Sequence, residues 1–83
     1  APNDPFILDS MGWVLYRQGD LEGAMTHLQR AYAQRQDPEI AVHIAEVLWS
    51  MERKDEAQGS LREALKKHPE NKELQEALKR FSP

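Results

Sequence analysis

The sequence predicts an all-α protein made of two antiparallel helical hairpins closed by one further helix. Three observations predict it: the chain repeats itself at an interval of 33 residues, its apolar residues recur at helical spacing, and an Asp-Pro pair stands at the start of each repeat. Shifted by 33 positions, Asp4-Pro5 falls on Asp37-Pro38, Ile7 on Ile40, Met11 on Ile44, Gly12 on Ala45, Val14 on Val47 and Leu15 on Leu48. The register then holds through Tyr16 on Trp49, Glu22 on Asp55, Ala24 on Ala57, Leu28 on Leu61, Ala31 on Ala64 and Tyr32 on Leu65. Chance rarely keeps one order of size and polarity for so long, and an internal period of this length marks a stacked repeat.

The first helix is expected to start at Pro5. Asp4 supplies a side chain that accepts from the free amides of the first turn, and proline at the first helical position loses no hydrogen bond. Asp37-Pro38 starts the third helix in the same way. Ile7, Leu8, Met11 and Leu15 give the first helix its apolar side. Gln18-Gly19-Asp20 then breaks the chain, with Gly19 free to adopt the left-handed turn and Asp20 placed to cap the next helix. That helix carries Leu21, Ala24, Leu28, Ala31 and Tyr32 at helical period. The corresponding break in the second unit, Glu52-Arg53-Lys54, has no glycine; a Cβ disfavours positive φ, so this turn is expected to be looser or less stable. After His68-Pro69-Glu70-Asn71 the fifth helix carries Leu74, Ala77, Leu78 and Phe81 on one side, with Lys72, Glu76 and Arg80 as an i, i+4 ladder on its outer side. The small residues Gly12, Ala24, Ala45 and Ala57 are expected where paired helices cross. The units are 5–37, 38–70 and a capping helix over 71–81, together one domain.

With 83 residues the core is modest, because a domain this small hides only about 60% of the surface its unfolded chain exposes. Hydrophobic residues at 40%, charged residues at 30% and only 4 Gly and 5 Pro fit an ordinary folded helical chain. The net charge of −3, from 14 acidic and 11 basic residues, is interleaved from Arg17 to Arg80, which argues against a nucleic-acid partner needing a basic stripe. No apolar run approaches the ~18 residues that span a bilayer, so no membrane insertion by this segment is expected, and no signal-peptide pattern is present. The absence of cysteine removes disulfides, thiolate metal sites and cysteine nucleophiles and leaves the compartment open. The chain opens on Ala1 in an Ala-Pro-Asn-Asp-Pro stretch and reads as a fragment of a longer array, with room for a signal or anchor upstream.

Over about residues 5–71 these features resemble the tetratricopeptide repeat (TPR) family. The family's helix-A glycine matches Gly12, its turn matches Gly19-Asp20, and its helix-B alanine, large apolar residue and alanine match Ala24, Leu28 and Ala31. The second unit matches at Ala45, Ala57, Leu61 and Ala64, with the closing proline at Pro69. Leu8 and Ala41 stand where the family has tryptophan, and Leu15 and Leu48 where it has tyrosine. The first unit's closing proline is displaced to Pro38, and one residue is missing between units. These exchanges keep apolar volume, so they bear on the angle between units more than on the fold. The run from Leu8 to Arg17 is also similar to a segment near the C-terminal end of long bacterial TPR proteins, several of them envelope-associated, which would suit the periplasmic side of the cell envelope. The resemblance implies an α-α superhelix whose first helices line a concave groove for a peptide or partner protein, with no cofactor.

Carried over position by position, the family's groove would be lined by Phe6, Asp9, Ser10, Trp13, Tyr16 and Arg17 in the first unit. The second unit would contribute Glu39, Val42, His43, Glu46, Trp49 and Ser50. Trp, Tyr and Arg dominate interface energetics, and Trp13, whose neighbours in the period are polar, is the best single anchor. Tyr16 and Trp49 can equally pack between adjacent helices. Asp9, Arg17, Glu39 and Glu46 either orient a partner or stay solvated. The lysine and asparagine clamp with which some family members hold a peptide carboxylate is not matched, since Asp9 and Trp13 stand where it would begin. Asp9, Glu39 and Glu46 suit a basic or mixed partner better.

No catalytic or metal-binding residue is expected. Ser10 and His43 occupy equivalent positions and Asp9 is adjacent, but nucleophilic catalysis needs an oriented base and oxyanion donors, and mid-helix amides are already committed. His43 and Glu46 lie at i, i+3, yet a metal site needs three or four ligands. His27 and His68 read as surface residues, and Gly12, Gly19, Gly23 and Gly59 form no phosphate loop. Two readings remain. One is a non-enzymatic module that binds a protein or peptide in the groove. The other is the structural end of an array, self-associating through the surface around Phe6, Ile7 and Met25.

Overall fold

The computed structural model describes residues 4–82, which form α1 (Pro5–Arg17), α2 (Leu21–Gln34), α3 (Pro38–Ser50), α4 (Lys54–Lys67) and α5 (Lys72–Arg80). Local chemistry sets the helix starts. Asp4 accepts from the Phe6 and Ile7 amides at 2.8 and 3.3 Å. Asp20 accepts from Gly23 at 2.9 Å, Asp37 from Glu39 at 2.8 Å and Asn71 from Leu74 at 3.0 Å. Each such cap is worth about 1 kcal/mol. Arg53 precedes α4 without a side-chain cap, and Asp55 and Glu56 in the first turn supply negative charge to the helix N-terminus instead.

The two hairpin turns correct one expectation. Gly19 has φ +89° and Glu52, its equivalent, φ +63°. Both turns close with the same bonds: Gly19 N to Tyr16 O at 3.0 Å and Asp20 N to Leu15 O at 2.9 Å, against Glu52 N to Trp49 O and Arg53 N to Leu48 O, both at 3.0 Å. The second turn is therefore no looser; its weakness is a Cβ held in the left-handed region. Glu52→Gly should raise unfolding stability by about 0.5–1 kcal/mol, the relief of left-handed strain less the greater entropy of a glycine chain. Urea denaturation measures it, and an unchanged or lower midpoint would contradict the strain.

α1 pairs with α2 and α3 with α4; α2 packs on α3, and α5 lies against both α3 and α4. Ala24, Leu28, Ala31, Ala45, Val47, Ala57, Leu61 and Leu74 form the fully enclosed part of one continuous core. At Gly12 α1 lies tight against α2: a Cβ there would stand 2.9 Å from Leu28 Cγ and 3.2 Å from the Ala24 carbonyl oxygen. Phe81, just past α5, is buried, and its carbonyl accepts from the buried Gln58 side chain at 2.9 Å, which ties the end of α5 to α4.

Two side chains lie elsewhere than expected. Met25 is not part of the open surface: it is buried between α2 and α3, near Tyr32, Ile44 and Leu48. Arg80 does not join an outer ladder, because its Nη2 donates to Glu46 on α3 at 2.7 Å and its guanidinium lies 4.4 Å from the Phe81 ring centroid. The two layers pack differently. Backbones of α1 and α3, and of α3 and α5, approach closely, whereas those of α2 and α4 do not among the described residues. A crevice of about 310 Å³ opens between α2 and α4 with Ala41, Ile44 and Leu48 as its floor. The layer of α1, α3 and α5 is thus the compressed, inner one.

Candidate partner-binding groove

Three side-chain rungs cross the inner layer, each joining residues 34 apart: Asp9 to His43, Tyr16 to Ser50 and Glu46 to Arg80. In the first, Asp9 Oδ1 lies 2.7 Å from His43 Nδ1, with only 15% and 20% of the two side chains exposed. In the second, the Tyr16 and Ser50 hydroxyls are 3.0 Å apart. Trp13 lies between them, its ring stacked on His43 at a centroid distance of 4.4 Å and tilted against Tyr16 at 4.8 Å. Burial pulls the His43 ring toward neutrality, but the Asp9 hydrogen bond and the charges of Asp9, Glu39 and Glu46 outweigh it, so its pKa is raised above the ordinary histidine value. The imidazolium is the form that both the carboxylate and the face of an indole favour.

The α3–α5 half of the groove is more open. Val42 and Ala77 floor a hollow of about 210 Å³ whose rim is Glu73, Glu76 and Arg80. Trp49 sits at the far end of α3, where its ring is 5.5 Å from Phe81 and Lys54 Nζ is 5.1 Å from its centroid. Glu39, Glu73 and Glu76 are exposed, and the one guanidinium of the hollow is already bonded to Glu46. The groove is acidic as well as aromatic.

Of the residues singled out from the sequence, Asp9, Trp13, Tyr16, His43 and Ser50 come together in one cluster, and Val42 and Glu46 line the neighbouring hollow. Arg17 and Glu39 are exposed, and Phe6 stands apart with the Arg35 guanidinium 5.2 Å from its ring. Ser10 faces away from the cluster, lining a hollow with Met11, Val14, Leu15 and His27; the partner of His43 is Asp9, not Ser10. Glu73, Glu76, Ala77 and Arg80 were missed because α5 reads as a wet cap. A signal for Arg80 existed: it stands as far beyond Glu46 as His43 stands beyond Asp9, so α5 serves as a third inner helix. Among the described residues no three His, Cys, Asp or Glu side chains converge to hold a metal, and no helix is long and apolar enough to cross a membrane.

Antiparallel hairpins stacked in two layers, with a recessed polar and aromatic inner face, define a helical-repeat protein of the all-α class. Residues 15–81, well over half of the chain, match the family model for the tetratricopeptide repeat, and the chain belongs to that family. Tetratricopeptide repeats generally mediate protein–protein interaction, on a fold that is non-catalytic. Over 45 residues, 54% of its length, the chain is 51% identical to TPR repeat-containing protein PA4667 of Pseudomonas aeruginosa. The matched stretch spans 8% of that bacterial protein.

Proposed function

We propose that the inner face of α1, α3 and α5 receives an extended segment of a partner protein carrying basic side chains. The observation that carries this reading is the row of cross-helix rungs. Trp13, His43 and Tyr16 are already held in one arrangement before any partner arrives, so little side-chain entropy remains to be lost on binding. Trp13 supplies the aromatic contact, while Glu39, Glu73 and Glu76 supply the charge that selects and steers a basic segment. Hairpins over 5–37 and 38–70 with the closing helix over 71–81 act on this reading as one groove.

Quantitative pull-down with the full-length parent protein tests it. Trp13→Ala should retain at most about a tenth of the partner held by the unaltered protein, with helicity by circular dichroism nearly unchanged. Glu39→Lys should reduce capture and flatten its salt dependence. Equal capture by both variants would remove the groove from the interaction.

A further inference from the structure

The fold uses only one of the two ring nitrogens of His43. Nδ1 meets Asp9 Oδ1 at 2.7 Å, and Trp13 stacks on the ring at 4.4 Å, so the orientation of the imidazole is fixed from two sides. Nε2 has no partner among the described residues, and it is not sealed from solvent, since no buried side-chain nitrogen or oxygen among them lacks a hydrogen bond. Asp9 also decides which nitrogen titrates. An ionised carboxylate only accepts, so Nδ1 carries a proton in both states of the ring. The proton that comes and goes is therefore the one on Nε2: the imidazolium donates from that atom, and the neutral ring only accepts there.

We propose, resting on the groove reading, that Nε2–H of His43 donates to a main-chain carbonyl of the bound basic segment, and that loss of this one proton weakens the hold on the segment. Lysine and arginine side chains carry no acceptor, so what such a segment presents to Nε2–H is its main chain. The charged groups around the ring are Asp9 on α1 and Glu39 and Glu46 on its own helix. Arg80 of α5 bonds to Glu46, and among the described residues α2 and α4 bring no charge to the ring. Burial alone would discharge the imidazole, but the Asp9 bond and the charges of Asp9, Glu39 and Glu46 outweigh it, so the donor form persists above the ordinary histidine value. The positive ring also repels the cations of the segment. That repulsion acts between exposed, screened charges and is the smaller effect, since a hydrogen bond to a charged group is worth more than a surface charge pair. The protonated protein should therefore bind at least about tenfold tighter than the neutral one.

The probe is a synthetic peptide of about twelve residues alternating arginine and serine, acetylated and amidated so that it does not titrate between about pH 5 and pH 9. By linkage, a tenfold preference for the imidazolium raises the His43 midpoint by about one pH unit once the protein is saturated, which proton NMR of the ring reads directly. Peptide affinity should fall about tenfold between about pH 5.5 and pH 9 in step with it. Attraction by charge alone predicts the opposite sign, a midpoint that falls when the cations arrive. His43→Gln keeps an amide donor that does not titrate, so its affinity should be level over that range; the midpoint of the unaltered protein needs no substitution and decides the matter if this variant does not fold. Peptide-induced amide shifts at Trp13, Val42 and Ala77 with a His43 midpoint that falls or stays would overturn the contact and leave the groove reading standing. So would an unchanged pH dependence in His43→Gln. No shift at those residues with about millimolar peptide would overturn the groove reading and the contact with it.

Discussion

Gly12→Ala and Leu28→Ala should each destabilise the protein, and together they should cost less than the sum of the two. Leu28 has no exposed surface, and truncating such a leucine removes its transfer free energy and leaves a cavity, a loss of about 2–5 kcal/mol. Gly12→Ala adds a methyl where no room exists. Its Cβ would meet Leu28 Cγ at 2.9 Å, Leu28 Cδ2 at 3.1 Å and the Ala24 carbonyl at 3.2 Å, so helix spacing or a buried rotamer must give. Overpacking of that kind costs about 1–3 kcal/mol. In the double variant the two Leu28 atoms of the clash are gone, the Ala24 carbonyl contact stays, and the new methyl partly fills the void, so the coupling should be at least about 1 kcal/mol in the compensating direction. A double-mutant cycle by urea denaturation measures this. Simple additivity would mean that the backbone contact with Ala24, and not Leu28, sets the α1–α2 distance.

The helix starts and the repeat were legible in the sequence because they depend on neighbours along the chain. Asp4 and Asp37 cap the helices that follow them, and the 33-residue register brings Leu28 and Leu61 to the same fully buried environment. The groove was legible only by face. Successive residues on a helix point about 100° apart, so an assignment good to one residue cannot tell Asp9 from Ser10. The structure turns Asp9 across to His43 and Ser10 to the other side. Met25 and Arg80 were illegible for a different reason: each is positioned by a helix remote in sequence, Met25 by α3 lying over it and Arg80 by Glu46 reaching it. Equivalent positions recur at 33, whereas side chains that touch across the inner layer stand 34 apart. That offset comes from how the helices pass one another, which local pattern does not carry.

Asp9→Asn should lower stability in a pH-dependent way, because Asp9 is the main reason that His43 keeps its proton against burial. The groups facing this ring are Asp9 and Trp13 on α1 and Glu39 and Glu46 on its own helix. Its folded pKa is raised, so the stabilisation from the charged pair is fully present below the unfolded histidine value of about 6.5 and is lost as pH rises through the folded value. At about pH 5.5 the unaltered protein should exceed Asp9→Asn by on the order of 1.5 kcal/mol, the typical worth of a hydrogen bond to a charged group. By about pH 9 the margin should have narrowed, since a neutral imidazole still donates to the carboxylate but the charge interaction has gone. Proton NMR of the His43 ring gives a second readout: its midpoint should lie above the ordinary histidine range in the unaltered protein and fall in Asp9→Asn, where burial meets less opposition. A stability difference that stays level with pH, or a His43 midpoint that does not move, would mean that the Asp9 contact is incidental and that the Trp13 stack and the Tyr16–Ser50 rung hold α1 against α3 without it.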